Sequence, residues 1–300
     1  MTTHTLTVTE DKADVRVDIF ITQALPDIIP SRMFVKRLFD AGRVLVNGAV
    51  VKPRQLVAEG DVIALDVCLE DYPDERIKPE AVALDIIYED DDIIALNKPR
   101  GMSVHPAAGN YGGTLVNALV HYVSTLSDVN GSKRPGIVHR LDKETSGIIL
   151  VARSNMAHAR LAKQFEAHTI EKKYVALVEG EVQFDEGLID APIGPHPAFH
   201  DLRRIAAPGE GKRAETYYIV SRRHKGVTAV ALYPTTGRTH QLRLHMRHLG
   251  HPVLGDDKYG HKDLFPRLAL HAQAIQFDHP LSGAQMELSA PLPPEFRPYF

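Results

Sequence analysis

The side chains best suited to chemistry share one short segment. His139-Arg140-Leu141-Asp142-Lys143-Glu144-Thr145-Ser146-Gly147 runs directly into Ile148-Ile149-Leu150-Val151-Ala152. An apolar run bounded by polar residues reads as a buried strand. Asp142 is therefore expected in a loop pinned to the mouth of that strand, where a rigid scaffold holds reactive groups in place. An ionised carboxylate there can attack a carbon as a nucleophile or remove a proton. A loop aspartate can equally cap a turn. Residue type alone leaves both roles open.

Other constellations are excluded by their spacing. His240, His245, His248 and His251 suggest a metal site, but Arg238, Arg243 and Arg247 are interleaved with them and would repel a cation. There is no HExxH pattern and no cysteine pair, so no metal is expected. Gly209-Glu210-Gly211-Lys212 resembles a phosphate loop, but no glycine stands five residues before Gly211, and Arg213 replaces the required Ser or Thr. Ser146 is not in a G-x-S-x-G elbow, which argues against a serine hydrolase.

The elements that must position Asp142 follow from periodicity. Strands are expected at 84–88, 93–97, 147–152, 174–179, 216–220 and 227–233, and helices at 114–121, 154–168 and 239–249. Ser154 is the expected cap of its helix, with Ala157, Leu161 and Phe165 on the buried stripe. Upstream, a helix is expected over 18–25, interrupted by Pro26 and Pro30. A second follows over 32–39, capped by Ser31 and stopped at Gly42. Val44–Val46 and Ala49–Val51 flank Asn47-Gly48, a strong hairpin signal, and a last strand covers 62–67.

Three hundred residues suit two domains better than one. The expected boundaries are a small α/β domain at 1–70, an acidic linker at 71–80 and a larger domain at 81–300. No apolar run reaches the roughly 18 residues of a membrane span, and the start lacks a secretory pattern. The one cysteine, Cys68, sits among Ile63, Leu65 and Val67 like a small core residue. A cytoplasmic protein is expected. The net charge of −3 hides an asymmetry: residues 31–54 carry Arg32, Lys36, Arg37, Arg43, Lys52 and Arg54 against Asp40 alone. Residues 71–95 carry nine acids against Arg76 and Lys78. Phosphate affinity depends on where basic groups cluster, so an RNA partner is compatible with this charge.

Two resemblances sharpen these readings. Arg16-x-Asp18, Ser31-Arg32, Gly42-x-Val44-x-Val46-Asn47-Gly48 and Gly60-Asp61-x-Ile63 resemble the S4 RNA-binding domain. That likeness implies that Arg32, Lys36, Arg37 and Arg43 face RNA. His139-Arg140-Leu141-Asp142-x-x-Thr145-Ser146-Gly147 resembles the signature of RluA-type pseudouridine synthases. Lys98-Pro99-x-Gly101, Lys173-Tyr174-x-Ala176 and Gly237-Arg238-Thr239-His240-Gln241-Leu242-Arg243 match the same family in order, as does Gly255-Asp256.

The second resemblance implies an α+β catalytic domain with a mostly antiparallel mixed sheet. It also implies an isomerase that detaches uracil from C1′ of a uridine, turns it and rejoins it through C5, with no cofactor. It makes Asp142, Tyr174 and Arg243 catalytic. Arg243 would pair with Asp142 and keep it ionised. Leu242 would wall the base, Arg140 would fill the stack left by the extruded uridine, and His139 and Thr145 would contact substrate. The implied partner of a monomeric enzyme is structured RNA, foremost large-subunit ribosomal RNA or a pre-ribosomal particle. A tRNA substrate is the alternative within the class, and a non-catalytic RNA-binding or ribosome-assembly factor the alternative outside it.

Overall fold

The computed structural model describes residues 2–26, 28–29, 32–67, 77–106, 112–123, 125–129, 134–207 and 209–300. The expected cap Ser31, the expected core residue Cys68 and most of the acidic stretch 71–80 lie outside them. The chain divides into two units, Met1–Arg76 and Ile77–Phe300.

In the first unit, β1 (Thr2–Thr7), α1 (Val17–Ala24), α2 (Arg32–Asp40), β2 (Val44–Val46), β3 (Ala49–Val50) and β4 (Val62–Val67) follow in chain order. The strands form a sheet of order β1-β4-β2-β3. Asn47 and Gly48 both take positive φ, 51° and 79°, as a two-residue hairpin turn with right-handed strand twist requires. Phe34, Val35 and Leu38 of α2 join Val17, Ile21, Val44, Ile63 and Leu65 in one core. Lys36 and Arg37 are left exposed on the opposite face. β1 was not expected, because its threonine-rich sequence carries little apolar signal; it pairs antiparallel with β4 over six residues.

The second unit contains β5 (Ile86–Glu89), β6 (Ile93–Lys98), α3 (Leu115–Tyr122), β7 (Ser146–Ala152), α4 (Asn155–Glu166), β8 (Glu171–Glu179), β9 (Glu186–Asp190), β10 (Ile193–Pro195), β11 (Arg203–Ile205), β12 (Glu215–His224), β13 (Val227–Pro234), α5 (Gln241–His248), β14 (Leu270–Asp278) and β15 (Gln285–Ser289). Its large sheet runs β5-β6-β7-β14-β8-β13-β12-β9, with β15 on β14, while β10 and β11 form a separate ribbon. All pairings are antiparallel except β7 with β14.

Every residue of β7 is buried, which explains the unbroken apolar run from Ile148 to Ala152. Leu115 and Leu119 of α3 and Ala157 and Leu161 of α4 pack into the same core. The Ser154 side chain accepts from the Ala157 amide and caps α4 as expected. Phe165 departs from expectation. It is only half-buried at the core's edge, and its ring stacks on His139.

Candidate active site

A cavity of about 520 Å³ opens where three segments meet: the loop before β7, the start of β8 and the turn entering α5. Their meeting is set by β14. Ala272 pairs with Gly147 of β7 on one side and with Tyr174 of β8 on the other. Two strand spacings, roughly 10 Å, thus separate the Asp142 loop from Tyr174. Only glycine fits at 147: its φ is +114°, and a Cβ would lie 2.1 Å from the Ala272 carbonyl oxygen.

The Asp142 loop is anchored through its backbone. The Lys143 carbonyl accepts from Lys98 Nζ at 3.2 Å and from the Gly101 amide at 2.8 Å. Lys98 is fully buried and also donates to the carbonyls of Pro99 and Met102, both at 2.9 Å. Burial pushes its ammonium down to about 7, while Glu144 and Asp142 act to raise it. The Thr145 amide donates to the Asp142 carbonyl and closes the turn. At the loop's end, Ser146 Oγ accepts from Arg267 Nη2 at 2.6 Å and bonds His271 Nδ1 at 2.9 Å.

His139 Nε2 accepts from the Leu150 amide at 2.8 Å, so the ring must be neutral with its proton on Nδ1. Its ring stacks on Phe165 at 4.8 Å between centroids. Burial, with a smaller contribution from Lys172, lowers its pKa to about 3. Thr145 Oγ1 is buried at the cavity wall without a hydrogen-bond partner among the described residues. Tyr174 is half-buried, and burial together with the Asp142 charge pushes its phenol above the ordinary range.

Arg243 corrects the expected pairing. Its Nε and Nη2 donate to the two carboxylate oxygens of Asp256 at 2.7 and 2.5 Å, and Nη2 reaches Asp257 at 3.1 Å. It makes no ion pair with Asp142; the two share the cavity and interact through space. The reason is geometric. Asp256 is fully buried and is pre-aligned by the amides of Lys258 and Tyr259, so it offers the planar fork a bidentate partner. Hydrogen bonds and charge from Arg243 hold the Asp256 carboxyl below its usual range against the opposing effect of burial.

Asp142, Tyr174, Arg243, Arg140, Leu242, His139 and Thr145 all line this one cavity. Arg140 is exposed at its rim, and Leu242 is buried in its wall. Lys36 and Arg37 belong to α2 of the first unit. Sequence reasoning assigned no role to Lys98 or Asp256, though both stand inside the matched motifs. The available signal for Lys98 was a charged residue closing an otherwise apolar strand. Lys172, Phe165 and His240 also line the cavity and were not singled out as contacts. His240 enters α5 in the left-handed conformation, φ 59°, a strained backbone of the kind that clusters at functional sites.

A cavity of this volume, lined by a loop carboxylate, a phenol and a fixed guanidinium and built on a mostly antiparallel sheet, makes this an α+β protein with a candidate active site. The family model for RNA pseudouridylate synthases matches residues 92–248, and that for the S4 domain matches residues 15–63. The chain is 42% identical over 290 residues to an RNA pseudouridine synthase of Bacillus subtilis, covering 96% of this chain and 94% of that protein. It is 39% identical over 305 residues to ribosomal large subunit pseudouridine synthase D of Escherichia coli K12, covering 96% and 90% respectively. Among solved structures, human RNA pseudouridylate synthase domain containing 1 aligns with a TM-score of 0.60 and 28% identity, over 71% of this chain and 85% of that one. The chain belongs to the RNA pseudouridine synthase family, with an S4 domain at its N-terminal side.

Proposed function

We propose that this protein isomerises uridine to pseudouridine in large-subunit ribosomal RNA, with Asp142 as the reacting carboxylate. The observation that carries this reading is the convergence of Asp142, Tyr174 and Arg243 on one cavity. The relative named for the large ribosomal subunit matches nearly the whole chain, including the S4 portion, which supports ribosomal RNA as substrate. The reaction adds and removes no atoms overall: the C1′–N1 bond breaks, a C1′–C5 bond forms, and one proton leaves C5 as another joins N1.

Asp142 acts at the ribose, either on C1′ or on a ribose proton. Tyr174, whose phenol is held neutral, walls the base and donates a hydrogen bond. Leu242 supplies apolar contact. The unpartnered Thr145 hydroxyl meets a polar atom of the nucleotide. Arg243, fixed by Asp256, presents its remaining positive field to the cavity. Arg140, exposed at the mouth, takes the place of the extruded base in the stack.

The test is to map pseudouridines in total RNA from cells with the protein, without it, and with Asp142→Asn in its place. A position in large-subunit ribosomal RNA should be lost in the second and third cases. Loss confined to tRNA would move the substrate, and full modification by Asp142→Asn would remove Asp142 from the chemistry.

A further inference from the structure

A second cavity, of about 480 Å³, lies against the C-terminal half of α5. Its floor is apolar, made of Leu244 and Tyr259 with Leu202 and Ile205 packed beside them. Its walls are cationic: Arg203, Arg204, Arg247 and Lys258 line it together with His196 and His248, and among the described residues no carboxylate does. The chain as a whole is acidic, so this concentration of positive charge is a local departure from its composition.

Arg203 is tied to the carbonyls of His200 and Leu202, whereas the other three cations are only weakly engaged. Arg247 is exposed, and its guanidinium has no hydrogen-bond or ion-pair partner among the described residues. The Nε of Arg204 is buried and unpartnered. Lys258 and Arg204 reach outward to Asp201 and Glu210, whose side chains are 70% and 59% exposed. Solvent-exposed pairs of this kind contribute little and exchange readily for a better anion. His196 Nδ1 accepts from the Ala198 and Phe199 amides, so its Nε2 carries the proton and is a donor.

Tyr259 joins this cavity to the uridine pocket. Its hydroxyl accepts from the Arg203 amide at 2.9 Å and bonds His240 Nδ1 at 2.8 Å, and its ring lies 5.1 Å from the Arg243 guanidinium carbon. Arg203 walls the second cavity, while His240 and Arg243 wall the first. The Tyr259 side chain thus stands between the uridine pocket and the four cations of the second cavity. A site separated from the pocket by a single side chain suits a neighbouring linkage of the same strand.

We propose that this cavity binds a backbone phosphodiester of the RNA strand that carries the target uridine, and that Arg204 and Arg247 are its principal ligands. The proposal rests on the RNA-modifying reading. Arginine presents planar donors that match phosphate oxygens. An apolar floor excludes water beneath the anion and strengthens each contact.

The test uses the full chain, a uridine-rich single-stranded RNA as binding probe and a large-subunit ribosomal RNA transcript as substrate. Arg204→Gln/Arg247→Gln removes both principal ligands of that one phosphate. It should flatten the log-affinity versus log-salt slope for the probe by about 0.7, the value for one single-strand phosphate. On the transcript, KM should rise while kcat at saturation holds. Arg247→Glu should weaken probe binding more than Arg247→Gln. The matched control Arg222→Gln/Lys225→Gln, which changes exposed cations outside the cavity, should leave the slope as it was. An unchanged slope in a variant with native circular dichroism, or equal flattening in the control, overturns the proposal. A wild type that binds the probe yet never modifies RNA removes the catalytic reading and leaves the salt test standing.

Discussion

Arg243 and Asp256 form a buried bidentate pair: both side chains are almost completely inaccessible, and two nitrogens of one face two oxygens of the other. Asp257 accepts a further bond from the same Nη2, and Tyr259 stacks beneath the guanidinium. A side chain tied on this many sides cannot swing between structural and catalytic positions. Its field at the cavity is therefore preorganised, the arrangement that lets charge act in a transition state without a reorganisation cost.

The first prediction separates that field from simple stability. Arg243→Leu strands the Asp256 carboxylate and should cost roughly 3–5 kcal/mol, the typical penalty for breaking a buried pair. Arg243→Gln/Asp256→Asn replaces the ion pair with two amides and removes the stranded charge. Urea unfolding should show stability recovering substantially in the double variant while turnover stays lost. Recovery of turnover together with stability would mean that Arg243 serves the fold alone.

The second prediction concerns Tyr174. Its phenol is pushed up by burial and by the Asp142 charge, so it stays protonated across the neutral and mildly alkaline range. Tyr174→Phe should lower kcat about tenfold, within the span expected of a lost functional hydrogen bond. The pH–rate profile should keep its shape from pH 7 to 10. A wild-type rate that climbs toward pH 10, with a flat profile for Phe, would instead assign phenolate base chemistry to Tyr174.

The loop carrying Asp142 was legible in the sequence because it has two local signatures, a polar turn and an apolar buried strand. The partner of Arg243 was not legible. Asp256 lies 13 residues further along, beyond helical spacing, and its burial depends on Gly255, where a Cβ would lie 1.9 Å from the Arg267 carbonyl oxygen. β14 escaped for a related reason. Polar His271, Gln273 and Gln276 and a register shift between Ala272 and Ala274 break its alternation, although it is central to the sheet. Strand pairing in the fold, which periodicity cannot convey, is what sets Tyr174 against the Asp142 loop.

A third prediction follows from His139. Its folded pKa of about 3 lies below the ordinary 6.5, so the unfolded chain takes up a proton first as pH falls. Stability from the neutral ring is complete above about pH 6.5 and is lost as pH falls toward 3. His139→Asn should be less stable than wild type at pH 7.5, and that gap should narrow by pH 4.5. Unfolding midpoints in urea at several pH values measure it. A gap that stays constant would show that His139 is not held neutral by the Leu150 amide.

Lys98 gives a fourth. Three backbone carbonyls surround its Nζ, and one of them belongs to Lys143, next to Asp142. Lys98→Met keeps the length of the stem and deletes all three bonds. Turnover should fall by at least tenfold through loss of loop geometry, since small misplacements of reacting groups are costly. Affinity for RNA should be nearly unchanged, because phosphate contacts dominate it. A parallel loss of affinity would place Lys98 in RNA binding rather than in loop positioning.

The last prediction separates binding from chemistry. The unit Met1–Arg76 has its own core and sheet, and its α2 leaves Lys36 and Arg37 exposed opposite buried Phe34 and Leu38. With Arg32 and Arg43 in the same segment, three or four phosphate contacts are expected from it. A chain beginning at Ile77 retains both large cores of the second unit and should fold. Its log-affinity versus log-salt slope should be flatter by roughly two to three, at about 0.7 per single-strand contact. It should still modify a short saturating fragment, slowly, while losing preference for the structured target. An unchanged slope together with unchanged preference would show that the S4 domain is not the RNA anchor. Unfolding of the truncated chain would show that the two units depend on each other for stability.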